Sequence, residues 1–216
     1  MSEAASRVSR ARARGGASEA ASRASGERKR RGEAIGICAS TGGPAVLAEL
    51  LGALPADFPV PLLVVQHIAS GFVDGLVRML DDAVALPVAT ALDDAPLRPG
   101  VWLAPDDAHL TLTSARRMKL DRVTVRGRHR PSADLLLESL AEVLGADAVA
   151  VVLTGMGRDG AAGAAAVQAR GGLVLAQDEA SSAIYGMPRA AVQAGARPLA
   201  PAAIAEVLGR LAFAWR

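Results

Sequence analysis

Cysteine is almost missing from this chain: Cys38 is the single one in 216 residues. No internal disulfide can form, which fits a reducing compartment, and a cytoplasmic location is expected. No apolar run approaches the ~18 residues of a membrane span, and no Cys/His cluster has zinc spacing. Residues 1–32 lack the apolar stretch of a secretory signal. Neither a Gly-x-Gly-x-x-Gly fingerprint nor a Walker loop occurs, so the usual phosphate-cradling motifs are absent. No internal repeat is present.

Charge is balanced overall but unevenly placed. The chain carries 24 Lys/Arg against 22 Asp/Glu. Nine of those basic residues fall within residues 1–32, where Glu3, Glu19 and Glu27 are the only acids. The remainder, fifteen basic against nineteen acidic, is net −4. A basic nucleic-acid-binding core is therefore disfavoured, and no nucleic-acid partner is expected. Residues 1–32 hold little but Ser, Ala, Gly, Arg and Glu. Such a stretch cannot bury enough apolar surface to offset its ordering entropy, so a disordered basic tail or linker is expected. Its charge suggests electrostatic docking on acidic surfaces, without membrane insertion.

Residues 33–216 read as one domain, large enough to bury roughly 70% of its unfolded surface. Apolar runs at 34–38, 62–66, 101–104, 148–153 and 173–177 read as strands. They alternate with helix-like stretches at 44–54, 71–80, 133–144, 160–170, 188–194 and 201–213. Pro44, Pro188 and Pro201 suit first-turn positions, where a missing N–H is harmless. Short β-like pieces at 88–92, 109–113 and 120–125 suggest an inserted antiparallel hairpin. The expected fold is α/β: a three-layer α/β/α domain with a mostly parallel, doubly wound (Rossmann-like) sheet. The helix at 201–213, with Trp215, is expected to close the core.

Open α/β sheets bind ligands outside the carboxyl ends of their strands. Ser40 follows the first strand, His67 the second, and Asp159 the strand at 148–153. That places a serine, an imidazole and a carboxylate on one rim, as a Ser–His–Asp relay requires. Each has a plainer reading on its own. Ser40 or Thr41 would serve as a helix cap, and the glycines beside them as an anion cradle. His67 would be a structural histidine, and Asp159 a cap for the helix at 160–170.

Five blocks occur in one order: Ala39-Ser40-Thr41-Gly42-Gly43-Pro44; Val65-Gln66-His67; Leu103-Ala104-Pro105-Asp106 with His109-Leu110; Leu153 to Ala161, reading Leu-Thr-Gly-Met-Gly-Arg-Asp-Gly-Ala; and Ala176 to Ser181 with Gly186-Met187-Pro188-Arg189. In combination they resemble the catalytic domain of the chemotaxis protein-glutamate methylesterases, the CheB type, over about residues 33–197. The resemblance implies hydrolysis of glutamate methyl esters on chemoreceptor signalling helices, with deamidation of selected receptor glutamines as a second activity. It implies Ser40 as nucleophile, His67 as base and Asp159 as orienting carboxylate, with no cofactor and no metal.

The backbone N–H groups of Thr41 and Met156 are the candidate oxyanion donors. Gly42, Gly43, Gly155 and Gly157 let the main chain approach closely. Ser181, Tyr185 and Met187 are candidate cleft residues, with loop packing the alternative. Cys38 reads as buried filler, and Asp106, Asp107 and His109 as structural polar contacts rather than metal ligands. His129, among Arg126, Arg128 and Arg130, reads as a solvated loop able to touch acidic receptor helices.

Relatives of this type commonly carry a receiver domain upstream. Thirty-two residues are too few for one, so a stand-alone esterase, or a chain lacking an upstream portion, is expected. Two other classes stay open: a catalytically slack receptor-binding module, and a small-molecule or nucleotide-binding α/β domain.

Overall fold

The computed structural model describes residues 33–126 and 129–214. The expected tail at 1–32 and Trp215 lie outside the described residues, as does Arg128.

Seven strands form one parallel sheet. They are β1 (Ile35–Ala39), β2 (Pro61–Gln66), β3 (Val88–Thr90), β4 (Gly100–Leu103), β7 (Val149–Val152), β8 (Leu173–Gln177) and β9 (Arg197–Leu199), in the order β3-β4-β2-β1-β7-β8-β9. A separate antiparallel hairpin joins β5 (His109–Leu112) to β6 (Met118–Asp121). The helices are α1 (Gly43–Gly52), α2 (Val73–Ala83), α3 (Ala133–Leu144), α4 (Ala161–Ala169), α5 (Met187–Gln193) and α6 (Pro201–Ala214).

The central strands are apolar on both faces because both are covered. In β1, Ile35 and Ile37 point into a core shared with Leu47 and Leu50 of α1, Leu76 of α2 and Leu208 of α6. Cys38 faces the opposite core, with Leu136, Leu137 and Leu140 of α3, Val167 of α4 and Met187 of α5. Leu110 and Leu112 from the hairpin complete that side. The period-2 alternation of strand side chains thus sorts one apolar run into two separate cores. Cys38 is buried filler, and burial, reinforced by the charges of Asp159 and Asp134, pushes its thiol well above the usual range.

Two expectations are corrected. Val88–Thr90 is no part of the insertion: it pairs in parallel with β4 at the edge of the main sheet. The hairpin's second strand lies at Met118–Asp121, and residues 122–126 leave it as a loop. The strand β9 at Arg197–Leu199 had no apolar run to announce it.

Candidate active site

Strand order reverses across β1: β2, β4 and β3 lie to one side, β7, β8 and β9 to the other. The crevice at such a reversal, outside the carboxyl ends, is where doubly wound sheets hold ligands. Ser40, His67 and the turn carrying Asp159 all emerge there. The Ser40 N–H donates to the Thr154 carbonyl and the His67 N–H to the Ala39 carbonyl, each at 2.9 Å. The ladder thereby runs one residue past the strands and holds both residues rigidly.

Gln66 fastens them further. Its side-chain Nε2 donates to the Ser40 carbonyl and to the His67 carbonyl, both at 2.8 Å. The amide lies against Gly43, where any Cβ would overlap it, so this position requires glycine for space. Gly42 supplies the left-handed turn into α1 (φ 81°), and no side chain caps that helix. Ser40 and Thr41 are therefore free of the capping role that either could have filled.

His67 Nε2 sits 2.9 Å from Asp159 Oδ2, with only 9% and 12% of the two side chains exposed. The approach is at ion-pair distance but off the line of a straight hydrogen bond, and among the described residues the buried Nδ1 meets no hydrogen-bond partner. A carboxylate beside Nε2 favours the tautomer that carries its proton there, leaving Nδ1 with a free lone pair. His129, expected in a solvated loop, stacks on this ring instead, with centroids 4.3 Å apart and planes inclined by 12°. It screens one face of the imidazole.

Asp159 is held by a helix it does not begin. Its Oδ1 accepts from Ser132 Oγ and the Asp134 N–H, both at 3.0 Å, and its Oδ2 accepts from the Ala133 N–H at 2.8 Å. These donors open α3, whereas Asp159 precedes α4. The carboxylate does cap a helix, but not the one its sequence position suggested. Burial pushes its carboxyl up, yet the nearby His67 and the N–H groups of Asp134 and Ala133 outweigh it, and the net position is well below the usual carboxylate range.

Behind α3 stands His109, buried, with Nδ1 accepting from the Ser132 N–H at 3.0 Å and Nε2 3.0 Å from the Thr124 carbonyl. These partners fix the Nε2–H tautomer. Asp106 accepts from the Gly71 N–H at 2.6 Å, and Asp107 pairs with Arg122 at 2.9 Å. The three thus serve separate loops. No group of three His, Cys, Asp or Glu side chains able to hold a metal occurs among the described residues.

The remaining candidates divide. Among the described residues, no acceptor meets the N–H of Thr41 or of Met156. The side chain of Met156 stands 69% exposed on the rim, and Gly157 beside it takes φ 87°. Ser181 is exposed and donates to Asp178 within its own turn, while Gln177 Nε2 donates to its carbonyl. Tyr185 is half-buried and bridges to Gly155. Met187 is corrected: it is fully buried beneath Gly155, packed under the loop and away from the cleft surface. A cleft of about 690 Å³ opens on the Asp159 side, bounded by Arg126, His129 and Arg158 and by Ala162 and Ala165 of α4.

Fold and rim together define a class: a doubly wound α/β domain with a serine, a histidine and a carboxylate converging at its topological switch point. The family follows from sequence comparison. Residues 35–208 match the family described as CheB methylesterase, and the chain belongs to it. It is 51% identical over 161 residues to protein-glutamate methylesterase/protein-glutamine glutaminase 4 of Myxococcus xanthus, covering 74% of this chain and 46% of that protein. It is 45% identical over 163 residues to protein-glutamate methylesterase FrzG of the same organism, covering 75% and 49%. The crystallised CheB methylesterase catalytic domain of Thermotoga maritima superposes with a TM-score of 0.80 at 38% identity, covering 83% of this chain and 98% of that one. The chain spans about half the length of the curated relatives it matches. No helix among the described residues is long and apolar enough to cross a membrane.

Gln66, Ser132 and Asp134 are the supports of the candidate site that sequence reasoning missed, and His129 is one it placed in a solvated loop. Only Gln66 had a signal, since a polar residue ending an otherwise apolar strand beside His67 invites the question of what it binds.

Proposed function

We propose that this chain is a serine hydrolase of glutamate methyl esters on chemoreceptor signalling helices, with deamidation of receptor glutamines as its second activity. The observation that carries this reading is the 2.9 Å approach of His67 Nε2 to Asp159 Oδ2, on a strand end tied through Gln66 to Ser40.

His67 Nδ1 takes the Ser40 hydroxyl proton as Oγ attacks the γ-ester carbonyl carbon. The tetrahedral oxyanion is met by the Thr41 and Met156 N–H groups, and each such donor contributes ~100- to 1,000-fold to turnover. Collapse breaks the C–O bond, and His67 returns the proton to the departing methoxide, releasing methanol. Water, deprotonated at Nδ1, then cleaves the glutamyl-Ser40 ester; that proton passes to Ser40 Oγ, and the new glutamic acid gives its own proton to solvent, leaving the carboxylate. With a glutamine substrate the same steps release ammonia. Asp159 stays ionised throughout and stabilises the imidazolium.

A macromolecular substrate suits the rim. Met156, beyond β7, and Phe72, at the start of α2, stand exposed, as do Val123 and Val125 after β6. Exposed large apolar side chains of this kind suit a protein-docking surface. The relatives' names, protein-glutamate methylesterase and protein-glutamine glutaminase, agree with this substrate class.

The test is incubation with a methylated receptor signalling fragment, scoring methanol release and the mass at individual glutamates. Demethylation at specific positions is expected. Stable binding without methanol release would identify a receptor-binding module instead.

A further inference from the structure

Asp159 is fixed twice to the same helix, once through its own side chain and once through the main chain of the residue that follows it. The side chain takes the three donors at the start of α3 already described. The main chain is tied in the opposite sense. Asp134, in the first turn of α3, accepts at Oδ1 from the N–H groups of Gly160 and Gly163, both at 2.9 Å. Gly160 is the N-cap of α4, with φ 96°, and α4 has no side-chain cap of its own. Each helix is therefore capped by the carboxylate that belongs to the other.

The exchange requires close helices, and the sequence provides for that. A Cβ on Gly163 would stand 2.5 Å from Leu137 Cβ and 2.9 Å from the Asp134 carbonyl. Only glycine lets α4 approach α3 this nearly. Two half-buried carboxylates so close are not accidental filler, because each charge costs desolvation unless it is hydrogen-bonded. Asp134 shows that cost: burial and the neighbouring Asp159 charge raise its carboxyl above the ordinary value, against the pull of the α4 amides.

We infer that Asp134 is a positioning residue for the catalytic carboxylate: by capping α4 it anchors the turn from which Asp159 reaches His67. The inference rests on the reading of Asp159 as the orienting acid. Asp134 lines the cleft on the Asp159 side, but its carboxylate bonds to the amides of α4 and not to His67. Its effect passes through the Gly160 N–H, one residue beyond Asp159. Displacing a catalytic group by about 1 Å can cost ~10²-fold in rate, and release of this anchor permits such a displacement.

The experiment compares wild-type protein with Asp134→Ala and Asp134→Asn. Three readouts are taken: thermal midpoint, kcat and KM on a methylated receptor fragment, and the ¹⁵N shifts of the His67 ring. Asp134→Ala removes the acceptor. Its kcat is expected to fall about 100-fold with KM unchanged, and the His67 ring nitrogens are expected to lose their fixed tautomer. Asp134→Asn keeps an oxygen for the two amides, and it is expected to restore both kcat and the ring signals. A lower thermal midpoint in Asp134→Ala, with wild-type kcat and ring shifts, would reduce Asp134 to a helix cap. So would ring shifts unchanged in both variants. If wild-type protein releases no methanol, the proposed activity fails, while the ring shifts still decide whether Asp134 positions Asp159.

Discussion

Asp159 Oδ2 lies 2.9 Å from His67 Nε2, while the same oxygen accepts at 2.8 Å from the first N–H of α3. One carboxylate thus serves a helix terminus and an imidazole together. The two roles support each other, because the helix end that the carboxylate stabilises also prevents it from turning away from the histidine.

This double service predicts a double defect. Asp159→Asn presents an NH₂ group where donors already converge, so it should lower stability, and turnover should fall on the order of 10⁴-fold through loss of the His67 tautomer. The stability difference has a definite pH dependence. The folded carboxyl ionises below the ~3.9 of a free aspartate, so its ionised form stabilises the fold above that value. The contribution fades as pH falls through the folded value. Thermal midpoints of the two proteins from pH 7 downward should therefore converge in acid. A constant gap would mean that Asp159 contributes shape, not charge.

Gln66 is predicted to matter without touching substrate. Gln66→Leu removes the donors to the Ser40 and His67 carbonyls; that of Ser40 keeps the Gly43 N–H at 2.8 Å, while that of His67 loses its side-chain partner, at about 1–3 kcal/mol. The urea midpoint should drop, and kcat on a small ester should fall by roughly 10- to 100-fold as the two strand ends lose register. Wild-type kcat in folded Gln66→Leu would separate the clamp from catalysis.

The His129 stack gives a milder expectation. Aromatic pairs contribute about 0.5–1.5 kcal/mol beyond burial, so His129→Ala should lower kcat by roughly two- to tenfold. It should also expose His67 to modification by diethyl pyrocarbonate. Equal rates of His67 modification in the two proteins would show that the stack does not cover the ring.

The parts of this fold that were legible in sequence are those with local signals. Runs such as Leu62–Gln66 and Leu173–Gln177 declare buried strands because both faces are apolar. The order Ser40, His67, Asp159 declares the rim because each follows such a run. Short edge strands carry no comparable signal. Val88–Thr90 is half-buried and three residues long, which looks the same whether it pairs with a hairpin or with β4. The supports of the site are wholly non-local. Asp134 and Gly163 are 29 residues apart, and Ser132 and His109 are 23 apart, so no spacing rule joins them. Asp159 shows the limit most clearly. Its position before α4 predicted a cap for α4, and the tertiary packing gave that role to Asp134 instead.

The central claim is that Ser40 is the nucleophile of an ester hydrolase. Its most direct test is methanol release from a methylated receptor fragment by purified wild-type and Ser40→Ala proteins, with thermal midpoints measured beside it. The account predicts equal midpoints and a loss of turnover approaching ~10⁶-fold, since a triad acts as a unit. Methanol release by Ser40→Ala at the wild-type rate would contradict it.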